Sequence, residues 1–131
     1  MTIPYALIIE DDEDLATIFN EALEMAGCKT EVIQDGLVAL ERLAVTVPDL
    51  VVLDLHLPHI PGKKILKEIR ADPRLAKTQV ILATVDARLA DSLRKQAQLV
   101  LVKPVSFIQL RSLAKRLMKS VGKNPATSSN R

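Results

Sequence analysis

The sequence predicts an α/β fold: five parallel strands alternating with five helices that cover both faces of one sheet. Two observations carry this expectation. Five short apolar runs recur, "YALII" at 5–9, "TEVI" at 30–33, "LVVL" at 50–53, "VILATV" at 80–85 and "LVLV" at 99–102. Most are continuous rather than alternating, the mark of strands buried on both sides. Segments of helical period separate them, and that alternation implies right-handed crossovers onto a parallel sheet.

Each connecting segment has its own signal. After the first run, Leu15, Ile18, Phe19, Ala22, Leu23 and Ala26 follow helical spacing, and Gly27 supplies a C-terminal stop. Asp35-Gly36 opens a second helix with Leu37, Leu40 and Leu43 in step. Ile65, Leu66 and Ile69 mark a shorter third helix that ends before Asp72-Pro73. Leu89, Ala90, Leu93 and Ala97 mark a fourth. Ser106 with Gln109 reads as a capping box for a last helix carrying Leu110, Leu113, Ala114, Leu117 and Val121. The folded domain is expected over 1–121, with "GKNPATSSNR" at 122–131 as a flexible tail or linker stub.

Bulk properties narrow the functional classes. At 131 residues, 48% hydrophobic and 26% charged, the chain is expected to be one globular domain with a core of its own. Tyr5, Phe19 and Phe107 are the only aromatics, which argues against a base-stacking surface for single-stranded nucleic acid. The lone Cys28 excludes an intrachain disulfide and a Cys-rich zinc site. His56 and His59 lack a third soft ligand nearby, which disfavours zinc there as well. No apolar stretch approaches the roughly 20 residues of a membrane span, and the N-terminus lacks the basic start of a signal peptide. A cytoplasmic location is expected. Lys and Arg run unopposed from Arg111 onward, but basic stretches are weak motifs and read best as a solvated helix face with a polar tail.

The polar residues are placed with more purpose. In an open α/β sheet, ligands bind outside the carboxyl ends of the strands. Asp11 and Asp12 follow the first strand, Asp54 ends the third, Thr84 lies near the end of the fourth and Lys103 ends the fifth. One rim thus gathers three carboxylates, a hydroxyl and an ammonium. Clustered carboxylates repel unless a cation joins them, and oxygen donors without soft ligands suit Mg²⁺. A Mg²⁺-held carboxylate beside a Lys and a Thr is equipped for phosphoryl transfer, with Asp54 as nucleophile.

At these residues the sequence resembles the receiver domain of two-component response regulators. The acidic "EDD" at 10–12, Asp54 before "LHLPHIPG", "ATVDA" at 83–87 and "KP" at 103–104 occur in the family's order, and the likeness spans about residues 5 to 120. The resemblance implies a flavodoxin-like sheet of order 2-1-3-4-5. It implies Mg²⁺ held by Asp11, Asp12, Asp54 and the backbone carbonyl of His56. Asp54 would be the phospho-acceptor, Thr84 the switch hydroxyl that reorients to the phosphoryl group, and Lys103 its ion-pair partner. Pro104 would follow a cis bond. A histidine kinase or phosphotransfer protein would supply the phosphoryl group, and the face of helix four, strand five and helix five would control a downstream protein partner. The resemblance admits a homodimer and implies neither direct nucleic-acid binding nor membrane association. It also implies no enzyme activity beyond assistance to the domain's own phosphorylation and dephosphorylation.

Two departures qualify the pattern. Val100 stands three residues before Lys103, where the family usually has an aromatic that swings inward as the threonine moves. A β-branched side chain has restricted χ1 freedom and little reach, so the expectation is a face that signals differently. The glycine that commonly ends helix four is replaced around "KQAQ" at 95–98. Two other readings stand beside the leading one. An unphosphorylated receiver-like scaffold is the first. The second is an Asp-nucleophile phosphatase, which would resemble Asp-x-Asp where this chain has His56.

Overall fold

The computed structural model describes residues 2–122, so the tail expected at 122–131 lies, beyond Gly122, outside the described residues. The chain runs β1 (Tyr5–Ile9), α1 (Glu13–Met25), β2 (Lys29–Ile33), α2 (Gly36–Val45), β3 (Leu50–Asp54) and α3 (Gly62–Ala71). A 3₁₀ turn at Pro73–Leu75 leads to β4 (Gln79–Thr84) and α4 (Ala87–Leu93). A second at Arg94–Gln96 leads to β5 (Leu99–Val102) and α5 (Phe107–Gly122). All pairings are parallel, in the order β2-β1-β3-β4-β5 that the resemblance implied.

Period-two alternation along the strands divides the core in two. Leu7, Ile9, Val51, Leu53, Val80 and Leu82 point to one face and meet buried residues of α2, α3 and α4. Ala6, Ile8, Leu50, Val52 and Ile81 point to the other and meet α1 and α5 through Phe19, Leu23, Leu110 and Met118. Cys28 is buried on this second side, where burial and the charge of Asp49 push its thiol up to about 11, the state of an inert structural cysteine. No helix among the described residues is long and apolar enough to cross a membrane.

The helix boundaries follow local chemistry. Asp12, Asp35 and Asp86 cap α1, α2 and α4 through side-chain bonds to first-turn N–H groups. Gly27 adopts φ +97°, the left-handed conformation that ends α1. Gln109 N–H donates to Ser106 Oγ at 3.0 Å, forming the N-terminal half of the expected box.

Helix α2 departs from its predicted apolar face. Leu43 is buried and Leu40 packs against the core as expected, but Leu37 is 56% exposed, and Gly36 and Ala39 take the remaining inward places. Small residues there let the helix approach the β3–α3 loop closely. A Cβ at Gly36 would lie 2.9 Å from Ile60 Cβ. Helix α4 is also shorter than predicted, because after Leu93 the chain tightens into the 3₁₀ turn and Ala97 is extended. Val121, predicted for the last helix's apolar face, lies where side chains are outside the described set.

Candidate functional site

The register of the sheet builds the site. Ile9 pairs with Leu53, so the residues one step on, Glu10 and Asp54, leave adjacent strands side by side. Asp54 pairs with Ala83, and Thr84 pairs with Val102, so Thr84 and Lys103 reach the same rim from β4 and β5. The backbone closes this end: Lys103 N–H donates to the Thr84 carbonyl at 2.7 Å, and the bond into Pro104 is cis as expected.

Asp54 is 3% exposed, yet it is well partnered. Its Oδ1 accepts from His56 N–H at 3.0 Å and lies 3.3 Å from Lys103 Nζ. Lys103 Nζ also reaches Glu10 Oε1 at 3.2 Å. Burial alone would lower the Lys103 pKa, but the Asp54 and Glu10 charges outweigh it and hold it above the usual lysine value. Glu10 is 1% exposed, and burial followed by the Asp54 charge pushes its carboxyl up to about 7.

Of the predicted acids, Asp11 and Asp54 come together and Asp12 does not join them. Glu10, Asp11 and Asp54 each offer a carboxylate oxygen, all within 4.8 Å of one another. Asp12 points into α1, where its Oδ1 accepts from Leu15 N–H at 2.9 Å, and its own N–H donates to Glu10 Oε2 at 3.2 Å. The carboxylates grouped with Asp54 are therefore Glu10 and Asp11, where Asp11 and Asp12 were expected. The reason is register. Strand β1 ends at Ile9, so Glu10 occupies the strand-end place beside Asp54, and Asp12 has already become the helix cap. That signal was available in "LIIEDD", where the apolar run stops one residue before Glu10. Three hard oxygen donors with no soft ligand fit a Mg²⁺-type cation.

Thr84 is fully buried, and its Oγ1 lies 2.8 Å from His56 Nε2 and accepts from Asp86 N–H at 3.0 Å. The contact with His56 was not foreseen, because it joins the loop after β3 to the last residue of β4, an approach only the fold defines. Val100 is 8% exposed and packs in the core with Leu82, its β4 partner.

The loop after Asp54 has one steric requirement. A Cβ at Gly62 would overlap the Asp54 carbonyl oxygen and come within 2.6 Å of Leu55 Cα. Both are backbone atoms that cannot turn aside. Gly62→Ala is therefore expected to lower stability by about 1–3 kcal/mol and to shift the amide resonances of residues 54–56. Chemical denaturation with a ¹H–¹⁵N correlation spectrum checks both effects.

Comparisons with known proteins agree with this fold. A family model described as the response regulator receiver domain matches residues 6–115. The chain is 30% identical over 131 residues to the transcriptional regulatory protein PrrA of Mycobacterium tuberculosis, covering 98% of this chain and 56% of that protein. It is 35% identical over 100 residues to the Regulator of RpoS of Escherichia coli, covering 76% of this chain and 30% of that one. It thus spans about half the length of the first relative and less of the second. Among solved structures, the signal receiver domain of a histidine kinase from Syntrophus aciditrophicus superposes with TM-score 0.81 at 31% identity, over 92% of this chain and 94% of that one. The receiver domain of Francisella response regulator 1452 gives TM-score 0.80 at 26% identity, over 90% and 98%.

Proposed function

Because the chain belongs to the response regulator receiver domain family, we propose that it is a phosphorylation-controlled signalling module whose acceptor is Asp54. The observation that carries this reading is the setting of Asp54: a buried carboxylate at a strand tip, ion-paired to Lys103 and sharing a gap with Glu10 and Asp11.

Both recorded contacts of Asp54 fall on Oδ1, so Oδ2 is the oxygen we assign as nucleophile. It forms the new P–O bond as the bond from phosphorus to the donor breaks. On a histidine kinase or phosphotransfer protein the leaving group is the imidazole nitrogen, which takes the bonding pair. Lys103 is positioned to balance charge that develops on the phosphoryl oxygens. Glu10, Asp11, Asp54 and the His56 carbonyl would hold Mg²⁺, which supplies further charge neutralisation when bound.

Thr84 supplies the route outward. Turning its hydroxyl toward a phosphoryl group on Asp54 would break or weaken its bond to Asp86 N–H, and Asp86 is the residue that caps α4. It would also alter the contact with His56, an exposed side chain. This gives a bistable element biased by one new anion. With Val100 unable to follow, we assign the signal to the start of α4 and to His56 rather than to a swinging side chain on β5. The module acts in the cytoplasm by binding a downstream protein, and its only chemistry is on its own carboxylate.

The test is a phosphate mimic. Beryllofluoride with Mg²⁺ should shift the resonances of Thr84, Asp86 and His56 in a ¹H–¹⁵N spectrum. An unchanged spectrum would favour an unphosphorylated scaffold, and steady turnover of free phosphomonoesters would favour an enzyme.

A second expectation concerns pH. The folded-state pKa of Glu10, about 7, lies above its ordinary value of 4.5. Its contribution to stability is therefore greatest at low pH and is lost as pH rises through about 7 in the metal-free protein. Mg²⁺ binding needs the ionised form, so affinity should climb between about pH 5.5 and 7.5 and level off above. Calorimetry in buffers of different ionisation enthalpy should find a proton released on binding near neutrality. Affinity independent of pH across that window would contradict the assignment of Glu10.

A further inference from the structure

The outer face of α2 carries an exposed stripe, two valines flanking an acid and a base, that the phosphorylation site does not use. Val38, Glu41, Arg42 and Val45 fall at i, i+3, i+4 and i+7, so they share one face, and together they line one shallow surface depression. Val38 is 46% and Val45 73% exposed, with Leu37 (56%) and Val47 (55%) nearby in sequence. Isolated exposed apolar residues need no explanation, but a contiguous group rimmed by charge marks a contact surface.

The order of residues identifies the occupant. Read outward from the midpoint between Glu41 and Arg42, the stripe is self-complementary: an acid faces a base, and a valine faces a valine. When two copies of α2 pack antiparallel about a two-fold axis through that midpoint, Glu41 meets Arg42 of the other copy, Arg42 meets Glu41, and each Val38 meets a Val45. An isologous contact requires this pattern, since the same patch must serve both sides. A different partner would not need it. Arg42 is already held in place by Glu31, 2.6 Å away, and Glu31 in turn accepts from the Tyr5 hydroxyl at 2.5 Å. The guanidinium is therefore pre-positioned at the surface and retains donors for a second carboxylate.

We infer that α2 is a homodimerisation face, used by a second copy of this chain in an antiparallel two-fold contact centred between Glu41 and Arg42. The inference stands apart from the phosphorylation reading, because none of these residues touches Asp54, Thr84 or Lys103. One helix contact with its flanking valines is small, so the dimer is weak and concentration-dependent.

Sedimentation velocity over a range of concentrations tests it by charge exchange. Wild type should show a sedimentation coefficient that rises with concentration. Glu41→Arg alone and Arg42→Glu alone each place like charges across the axis, and each should weaken self-association by about tenfold or more. An equimolar mixture of the two variants restores two attractive pairs and should associate at least as well as wild type. Circular dichroism of each variant confirms that the fold is retained. The inference is overturned if wild type stays monomeric throughout the range, if either single variant associates as wild type does, or if the mixture behaves as the sum of its two components.

Discussion

Asp54→Asn is expected to reduce phosphoryl uptake from a small-molecule phosphodonor by at least about 100-fold while leaving the fold intact. The substitution is nearly isosteric, and the amide oxygen can still accept from His56 N–H, as Asp54 Oδ1 does at 3.0 Å. What disappears is the anionic nucleophile and one of the three oxygen-donor carboxylates. A second consequence separates this account from a general loss of structure. The Asp54 charge is the second cause, after burial, of the raised Glu10 pKa. Removing it should move the Glu10 titration down from about 7 while Lys103 keeps its contact with Glu10 at 3.2 Å. Carbon-13 NMR of the Glu10 carboxyl in both proteins, beside the uptake assay, checks the two effects. Uptake that survives in the variant would remove Asp54 from its assigned role.

Lys103→Met should produce the largest loss of stability of any single change at the rim, on the order of 3 kcal/mol in the metal-free protein near pH 8. Its ammonium is the shared partner of two carboxylates that are 1% and 3% exposed. Replacing it leaves both facing each other with no cation between them. The loss should depend on pH with a definite sign. Lys103 is one of the influences that lower the Glu10 pKa, so its removal moves a value of about 7 further up. A carboxyl with folded pKa above 4.5 stabilises the fold when protonated and progressively less as pH rises. The deficit of the variant relative to wild type should therefore be small near pH 5.5 and grow toward pH 8. Urea denaturation at both values measures it. A deficit that shrinks with rising pH would contradict the electrostatic account.

The inner strands were legible in the sequence because both of their faces are covered. Apolar runs such as "LVVL" and "VILATV" coincide with β3 and β4 to within one residue at each end. Helix existence was legible too, but the inward face of α2 was not. Apolarity alone favoured Leu37, whereas the close approach of the β3–α3 loop required Gly36 and Ala39 to face inward. The site showed the same division. The meeting of Asp54, Thr84 and Lys103 at one rim was readable because each stands at or just after a strand end, and strand ends converge there. Asp12 misled because two adjacent acids look alike in sequence, while a single step of register makes one a rim carboxylate and the other a helix cap. The His56 contact with Thr84 depends on where the loop after β3 meets the end of β4, which no local pattern encodes.

The most direct measurement locates the phosphoryl group itself. Wild-type protein treated with Mg²⁺ and a small phosphodonor can be reduced with borohydride, which converts an aspartyl phosphate to homoserine, and then mapped by peptide mass spectrometry. One modified position is expected, residue 54, and none when Mg²⁺ is withheld. Modification at Asp11 or Asp12, or a protein left unmodified with Mg²⁺ and donor present, would contradict it.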